Sequence, residues 1–376
     1  MTSQNGRTVH ISHLKESPMF LALRELQHSP FRSLLIGGIV ALIAFMVFML
    51  TGLTRGLARD NAALLLETPA SHFVTTRDAE GVFTRSFLTP ADVQRITAVA
   101  GNAATPLAQS FVSFSGGERQ LSGVLLGVDP TSFLAPAVTT GQPLTPGAPG
   151  AVVDLSLQKD GVKLGDTLTL RPGGETLRVT GFTRSARLNH QPVVFVTLAR
   201  WQALNPRSRD SVSAVALRTD AQVAGTAGTL KGLSVYTRAR TLQLLPGYRE
   251  EQGSLTMIQV FLVIVAAFVM AVFFYVLTIQ KTAQFGLLKA IGASTRTLAG
   301  SLVTQMLLLT VTAVLTAALV TAGIVRVLPA GIPFALTPLT LLAASALLTL
   351  VAALSSLLSL RTVARVDPLI AIGTVA

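Results

Sequence analysis

The chain has 376 residues, half of them hydrophobic, only 13% charged and none of them cysteine. That composition excludes an ordinary soluble protein, and the lack of cysteine excludes disulfides, thiolate metal sites and cysteine nucleophiles. The net charge of +12 does not mark a nucleic-acid protein, because the basic residues are spread along the chain instead of forming a patch interleaved with aromatics.

Residues 1–33 are mostly polar, and "SPMFLALRELQHSPFR" alternates apolar and basic positions at helical spacing. This predicts an amphipathic helix on the cytoplasmic membrane surface. The first apolar run, Leu34–Leu53, starts too late and runs too long for a signal peptide and has no small-residue cleavage site after it, so it predicts an uncleaved span over 34–54. Gly37, Ala41 and Ala44 give this span a small-residue face suited to close helix contact, including contact across a dimer.

Residues 55–254 then form one block of domain size, predicted to be an extracytoplasmic α+β insert. "LTPADVQRITAV" carries a helix start, with Thr89 as cap, Pro90 in the first turn and Asp92 three residues after the cap. "GVKLGDTLTLRPGGETLRVTGF" reads as a hairpin about Pro172–Gly173–Gly174, and "QPVVFVTLARW" as a buried strand turning into a helix. The Pro- and Gly-rich "TTGQPLTPGAPGAVVDL" marks the expected boundary between two lobes.

Three further spans follow, at 255–280, 298–326 and 339–360, each reaching the ~20 residues that cross about 30 Å of hydrocarbon. The loop 281–297 holds Lys281, Lys289 and Arg296 and no acid, so it is expected in the cytoplasm, whereas 327–338 is a short outer loop. The tail 361–376 carries Arg361 and Arg365, so both termini fall inside.

Chemistry within the chain is thin. No G-x-x-x-x-G-K-[ST], H-E-x-x-H or G-x-S-x-G occurs, and "SFSGGERQLSG" only superficially matches an ATPase signature, because it lies in the outer block. His10 and His13, three apart, are expected to be solvated, and His28, His72 and His190 have no metal-ligand spacing. The runs 34–53, 257–279 and 339–360 contain no ionisable group besides Tyr275, which argues against an ion or proton pathway. Thr304, Thr310, Thr312, Thr316 and Thr321 of the third span are expected to bond back to their own helix. The stretch "QFGLLKAIGAST", Gln284–Thr295, places Phe285, Leu288 and Ile291 on one side of a short helix ended by Gly292, a shape that fits a groove on a soluble partner.

"FGLLKAIGAS" directly after a span, "ARVDPLIAIG" near the C-terminus and "LALRELQHSPFRSLL" before the first span resemble FtsX-like/MacB-type ABC transporter permeases. The resemblance implies four membrane helices with the α+β domain inserted between spans one and two. It also implies a homodimer in the lipid bilayer joined by two cytoplasmic ATPase subunits, which hold the ATP and Mg, and mechanotransmission in place of a pore. The coupling segment would be Gln284, Phe285, Gly286, Leu287, Leu288, Lys289, Ala290, Ile291, Gly292, Ala293 and Ser294. Gln284 stands where the family commonly has an acid.

Within the family, "LTGLTRGLARDNAALL" and "LLPGYREEQGSLTMIQVFL" look most like the DevC-like and Gram-positive haem-exporting permeases. That implies haem as transported substrate, with no intrinsic cofactor. The implied contacts are Glu251 and Glu67 first, then Asp60, Asn61, Glu250, Tyr248 and Arg249, with Met46 and Met49 lining an apolar slot. A carboxylate or tyrosinate could ligate ferric iron and an arginine could meet a propionate. The alternatives are export of a lipid, lipoprotein or antimicrobial peptide, or a non-transporting regulator of a cell-wall hydrolase.

Overall fold

The computed structural model describes residues 30–116, 119–208, 210–290, 294–329 and 332–364. The expected amphipathic helix before span one and the C-terminal "ARVDPLIAIG" box from Arg365 onward lie outside these residues, as do His10, His13 and His28. The chain divides into two compact units, 1–52 with 257–332 and 336–376, and 53–256 with 333–335.

The first unit is helical. Helix α1 covers Pro30–Glu67, α6 Tyr248–Gln280, α7 Thr282–Ala290, α8 Thr295–Val327 and α9 Pro338–Ala364. Four of them, all but α7, are long and apolar enough to cross a membrane. At 33 residues and about 1.5 Å per residue, α6 and α8 exceed the hydrocarbon thickness.

The buried row Leu298, Leu302, Met306, Leu309, Ala313 and Ala317 of α8 joins Ile36, Val40, Ala44 and Phe48 of α1, Met270 and Phe274 of α6, and Leu348 and Ala352 of α9 in one apolar cluster. In lipid this packing rests on van der Waals contact, since the tails are as apolar as leucine. The small face of span one is used inside this bundle: Ala44 is buried, and a Cβ on Gly37 would meet Leu309 at 3.9 Å.

The hydroxyls of Thr310, Thr312, Thr316 and Thr321 donate to carbonyls one turn earlier in α8, as expected. Gln259 Nε2 donates to Thr51 Oγ1 at 3.1 Å, tying α6 to α1. Thr337 and Thr340 cap α9 reciprocally, with Pro338 at its first position.

The second unit is built on one sheet of eleven strands: β1 His72–Thr76, β2 Ala104–Gly116, β3 Arg119–Val128, β4 Val138–Gly141, β5 Gly150–Asp154, β6 Thr167–Arg171, β7 Thr176–Thr183, β8 Arg187–Leu188, β9 Gln191–Thr197, β10 Ala214–Leu217 and β11 Leu233–Thr237. The order is β11-β1-β10-β2-β3-β9-β5-β7-β4, with β6 against β2 and β7, and β8 against β9. Pairing is antiparallel except for β3 with β9 and β5 with β7.

The β6–β7 hairpin and the β9 strand running into helix α3, Leu198–Leu204, match the sequence expectation. So does α2, Pro90–Ala100, whose Thr89 and Asp92 make a reciprocal capping box. Burial pushes the Asp92 carboxyl up, but hydrogen bonds from the Thr89 side chain and backbone and from Arg95 outweigh it and hold the group below its ordinary value. The described residues of "SFSGGERQLSG" belong to strands β2 and β3, which pair with Gly116 opposite Arg119.

The Pro- and Gly-rich stretch does not divide two lobes. Strands β4 and β5 on its two sides both pair with β7, and Gln142 N donates to Thr180 O at 2.8 Å, so the segment is a loop within one sheet. Its Gly141, at φ 94°, takes a turn that residues with a Cβ avoid. Trp201 of α3 lies against β3 where Gly127 leaves room, and donates to Ser110 Oγ at 3.1 Å.

Candidate functional site at the stalk ends

Helices α1 and α6 run beyond their apolar stretches into the sheet unit, as far as Glu67 and from Tyr248. Both therefore end in polar stalks that the hydropathy boundaries at 54 and 255 cut short. In the α1 stalk, Ala62 departs from helical geometry at φ −144° and ψ 23°. A break of this kind disturbs the i to i−4 ladder around it. The carbonyl of the preceding Asn61 accepts instead from Asn189 N at 2.6 Å.

Asn189 and His190 form the two-residue loop between β8 and β9, at φ 52° and 60°. Two positive φ values in a two-residue hairpin are the type I′ requirement, which normally selects Asn-Gly. Here the second position is histidine. Its ring stands between the stalks, with Nδ1 2.8 Å from Asp60 Oδ2 and Nε2 3.3 Å from Glu251 Oε2.

Asn61, buried, donates to the same Glu251 oxygen at 2.9 Å. Arg187 Nε lies 2.5 Å from Asp60 Oδ1, close enough for an ion pair but misaligned for a hydrogen bond. Its two other nitrogens donate to Ser156 Oγ and to the His190 carbonyl. One hairpin tip thus ties the α1 stalk, the α6 stalk and the sheet into a single polar knot.

Of the expected haem contacts, the structure brings Asp60, Asn61 and Glu251 together, but their side chains are already taken up by one another, His190 and Arg187. Glu67 makes an exposed ion pair with Arg59 at 3.6 Å. Arg249 and Glu250 are exposed on the first turn of α6. Burial, and then the charge of Glu251, push the Tyr248 phenol up, which disfavours its tyrosinate form. Met46 is half exposed and Met49 half buried on α1. His190 and Arg187 were not singled out as site residues. The available signal was "RLNHQPV", a short hairpin whose Asn-His turn puts a strained histidine where glycine is usual.

The expected coupling segment divides into three parts. Helix α7 carries Gln284 through Ala290, and Ile291, Gly292 and Ala293 lie outside the described residues. Ser294 belongs to the next helix, whose N-terminus it caps by accepting from Thr297 N at 3.1 Å.

Phe285 does not face a partner: it is buried in the same cluster as Leu298 and Leu302 of α8. Gly286 is buried as well, while Gln284, Leu287 and Leu288 are exposed and Lys289 is half buried. The 100° step of a helix explains the difference, because the buried arc is centred between Phe285 and Gly286, which leaves Leu288 at its edge and Leu287 on the far side. Nearby, Lys281 Nζ donates to Gln305 Oε1 inside the bundle.

On the expectation that this segment meets an ATPase subunit, Leu288→Asp should weaken that association at least tenfold while leaving the fold intact, since Leu288 is exposed. Phe285→Asp is expected to lower the thermal stability of the chain itself. Co-purification and thermal unfolding of both variants check this, and equal effects of the two on stability would refute the assignment of faces.

Residues 256–368 match the family described as FtsX-like permease C-terminal. Over 356 residues the chain is 26% identical to a protein named hemin transport system permease HrtB of Staphylococcus haemolyticus, with 94% of this chain and 99% of the relative covered. The protein of the same name in Staphylococcus epidermidis is 26% identical over 355 residues, with the same coverage. An uncharacterized ABC transporter permease of Mycobacterium tuberculosis is 26% identical over 362 residues, covering 94% of this chain and 99% of its own. Among solved structures, the extracellular domain of the noncanonic ABC-type transporter YknZ from Gram-positive bacteria covers 44% of this chain and 98% of its own, at 16% identity and a TM-score of 0.33.

Proposed function

We propose that the chain is an FtsX-like permease of an ABC transporter, with ATP hydrolysis on a separate subunit, and that it exports haem or a hydrophobic compound of that kind. The likeness to relatives named for hemin transport covers 94% of this chain and 99% of theirs, which supports cargo of that class. The spans support a mechanism without an aqueous relay, since ionisable groups other than Tyr275 are missing from 34–53, 257–279 and 339–360.

The observation that carries the mechanism is the knot of Asp60, Asn61, His190, Arg187 and Glu251. Helices α1 and α6 are each continuous from the membrane stretch to this knot, apart from the kink at Ala62. ATP-driven movement of the cytoplasmic ends would reach the sheet unit along these two rods, and the knot would make both stalks move as one. A homodimer with two ATPase subunits is the assembly in which such strokes work in pairs. Cargo would meet the exposed turn of α6, where Glu250 offers a carboxylate for ferric iron and Arg249 a partner for a propionate.

The test is a visible spectrum and an ATPase assay on the chain purified with its ATPase subunit. Added haem is expected to shift its Soret band on binding and to stimulate hydrolysis severalfold. Absence of both effects would overturn the haem reading, and stimulation by a lipid or peptide alone would replace it with that cargo.

A further inference from the structure

The sheet unit contains a cavity of about 460 Å³ that none of the preceding roles uses. Its volume falls within the range of small-molecule sites. The floor is apolar, formed by the tilted Phe73–Phe83 pair with ring centroids 5.2 Å apart, and by Leu107, Leu126 and Phe195 of the sheet.

One side of the rim is polar and carries the cavity's only uncompensated charge among the described residues. Glu67 at the rim is paired with Arg59, whereas the guanidinium of Arg184 is exposed and has no ion-pair or hydrogen-bond partner among the described residues. Next to it Ser185 holds φ 56°, a backbone conformation that residues other than glycine avoid and that gathers at ligand sites. An apolar chamber with one free cation at its mouth is complementary to an apolar body ending in one anion.

We propose that this cavity binds a long-chain amphipathic carboxylate, its hydrocarbon among the phenylalanines and leucines and its carboxylate on Arg184. The site does not depend on which compound the transporter exports. Because the wall includes Leu64 and Leu65 of the α1 stalk, a bound molecule would touch the helix that leads to the polar knot.

The chain has no cysteine, so Ala137→Cys on the exposed rim accepts a single environment-sensitive dye in the full-length protein, held in nanodiscs of uncharged lipid. Titration with oleate is expected to give a saturable blue shift. Oleyl alcohol, or oleate with Arg184→Gln, is expected to bind about tenfold more weakly, the loss of one charge-assisted contact. Leu134→Trp should abolish the shift by filling the chamber, and Ala135→Trp serves as a second filling variant if the first does not fold. No saturable shift, or a shift that survives the filled cavity, overturns the site. Equal affinity for oleate and oleyl alcohol overturns the role of Arg184.

Discussion

Gly56→Ala is expected to destabilise the protein sharply, although alanine is the better helix former by about 1 kcal/mol. Gly56 lies buried in the α1 stalk against the segment Pro333–Ala335. A Cβ there would stand 2.0 Å from the Pro333 carbonyl oxygen, 2.3 Å from its carbon and 2.5 Å from Phe334 N. All three are backbone atoms, so no side chain can swing aside, and either the loop or the stalk must move. Overpacking of this kind costs about 1–3 kcal/mol or more and overrides the gain in helix propensity. Thermal unfolding of the full chain should show a midpoint lower by several degrees, with faster proteolysis in the loop joining α8 to α9. A midpoint raised by the substitution would mean that stalk and loop do not touch in the folded protein.

The second large effect belongs to the polar knot. Asp60→Ala leaves Arg187 and His190 facing the space of a lost carboxylate, with both Asp60 and Arg187 about three-quarters buried. Breaking a fully buried pair costs about 3–5 kcal/mol, and the remaining exposure here brings the expectation to about 2 kcal/mol. His190→Gly separates stability from coupling. Glycine relieves the positive φ at the hairpin tip, so β8 and β9 should stay paired. The bridge from Asp60 to Glu251 is nevertheless gone. Hydrogen exchange of the full chain is expected to quicken over 55–67 and 248–256 in both variants, and to remain unchanged over 191–197 in His190→Gly. In the assembled transporter, His190→Gly should keep ATP hydrolysis and lose most of the transport it drives. If exchange in the two stalks does not change, His190 is a surface residue and the stalks are joined by something else.

The interior of "QFGLLKAIGAST" shows why the site was less legible than the fold. Its amphipathic spacing marked a short helix between spans, and α7 is there. Spacing alone does not say which of two apolar neighbours meets the bundle. Phe285 does, because α8 returns alongside it through Leu298 and Leu302, and this leaves Leu287 and Leu288 outside. Likewise the acids Asp60 and Glu251 were legible as stalk residues next to apolar runs. What occupies them comes from a hairpin more than 120 residues after the first of them, and no local pattern joins positions so distant.

Local physics was sufficient where the signal is local. Four apolar runs of spanning length, the Thr89–Asp92 cap, the hairpin at Pro172–Gly174 and the back-bonded threonines of α8 each depend on residues within a few positions of one another. The sequence by itself determined four membrane-spanning helices with a sheet-bearing insert, because hydropathy and strand alternation are properties of short windows. Only the tertiary structure decided that the insert is one sheet and not two lobes, that the spans continue as stalks to Glu67 and from Tyr248, and that His190 bridges them. Those outcomes depend on which distant backbones come to share hydrogen bonds and buried space, and a window of neighbouring residues holds no record of that.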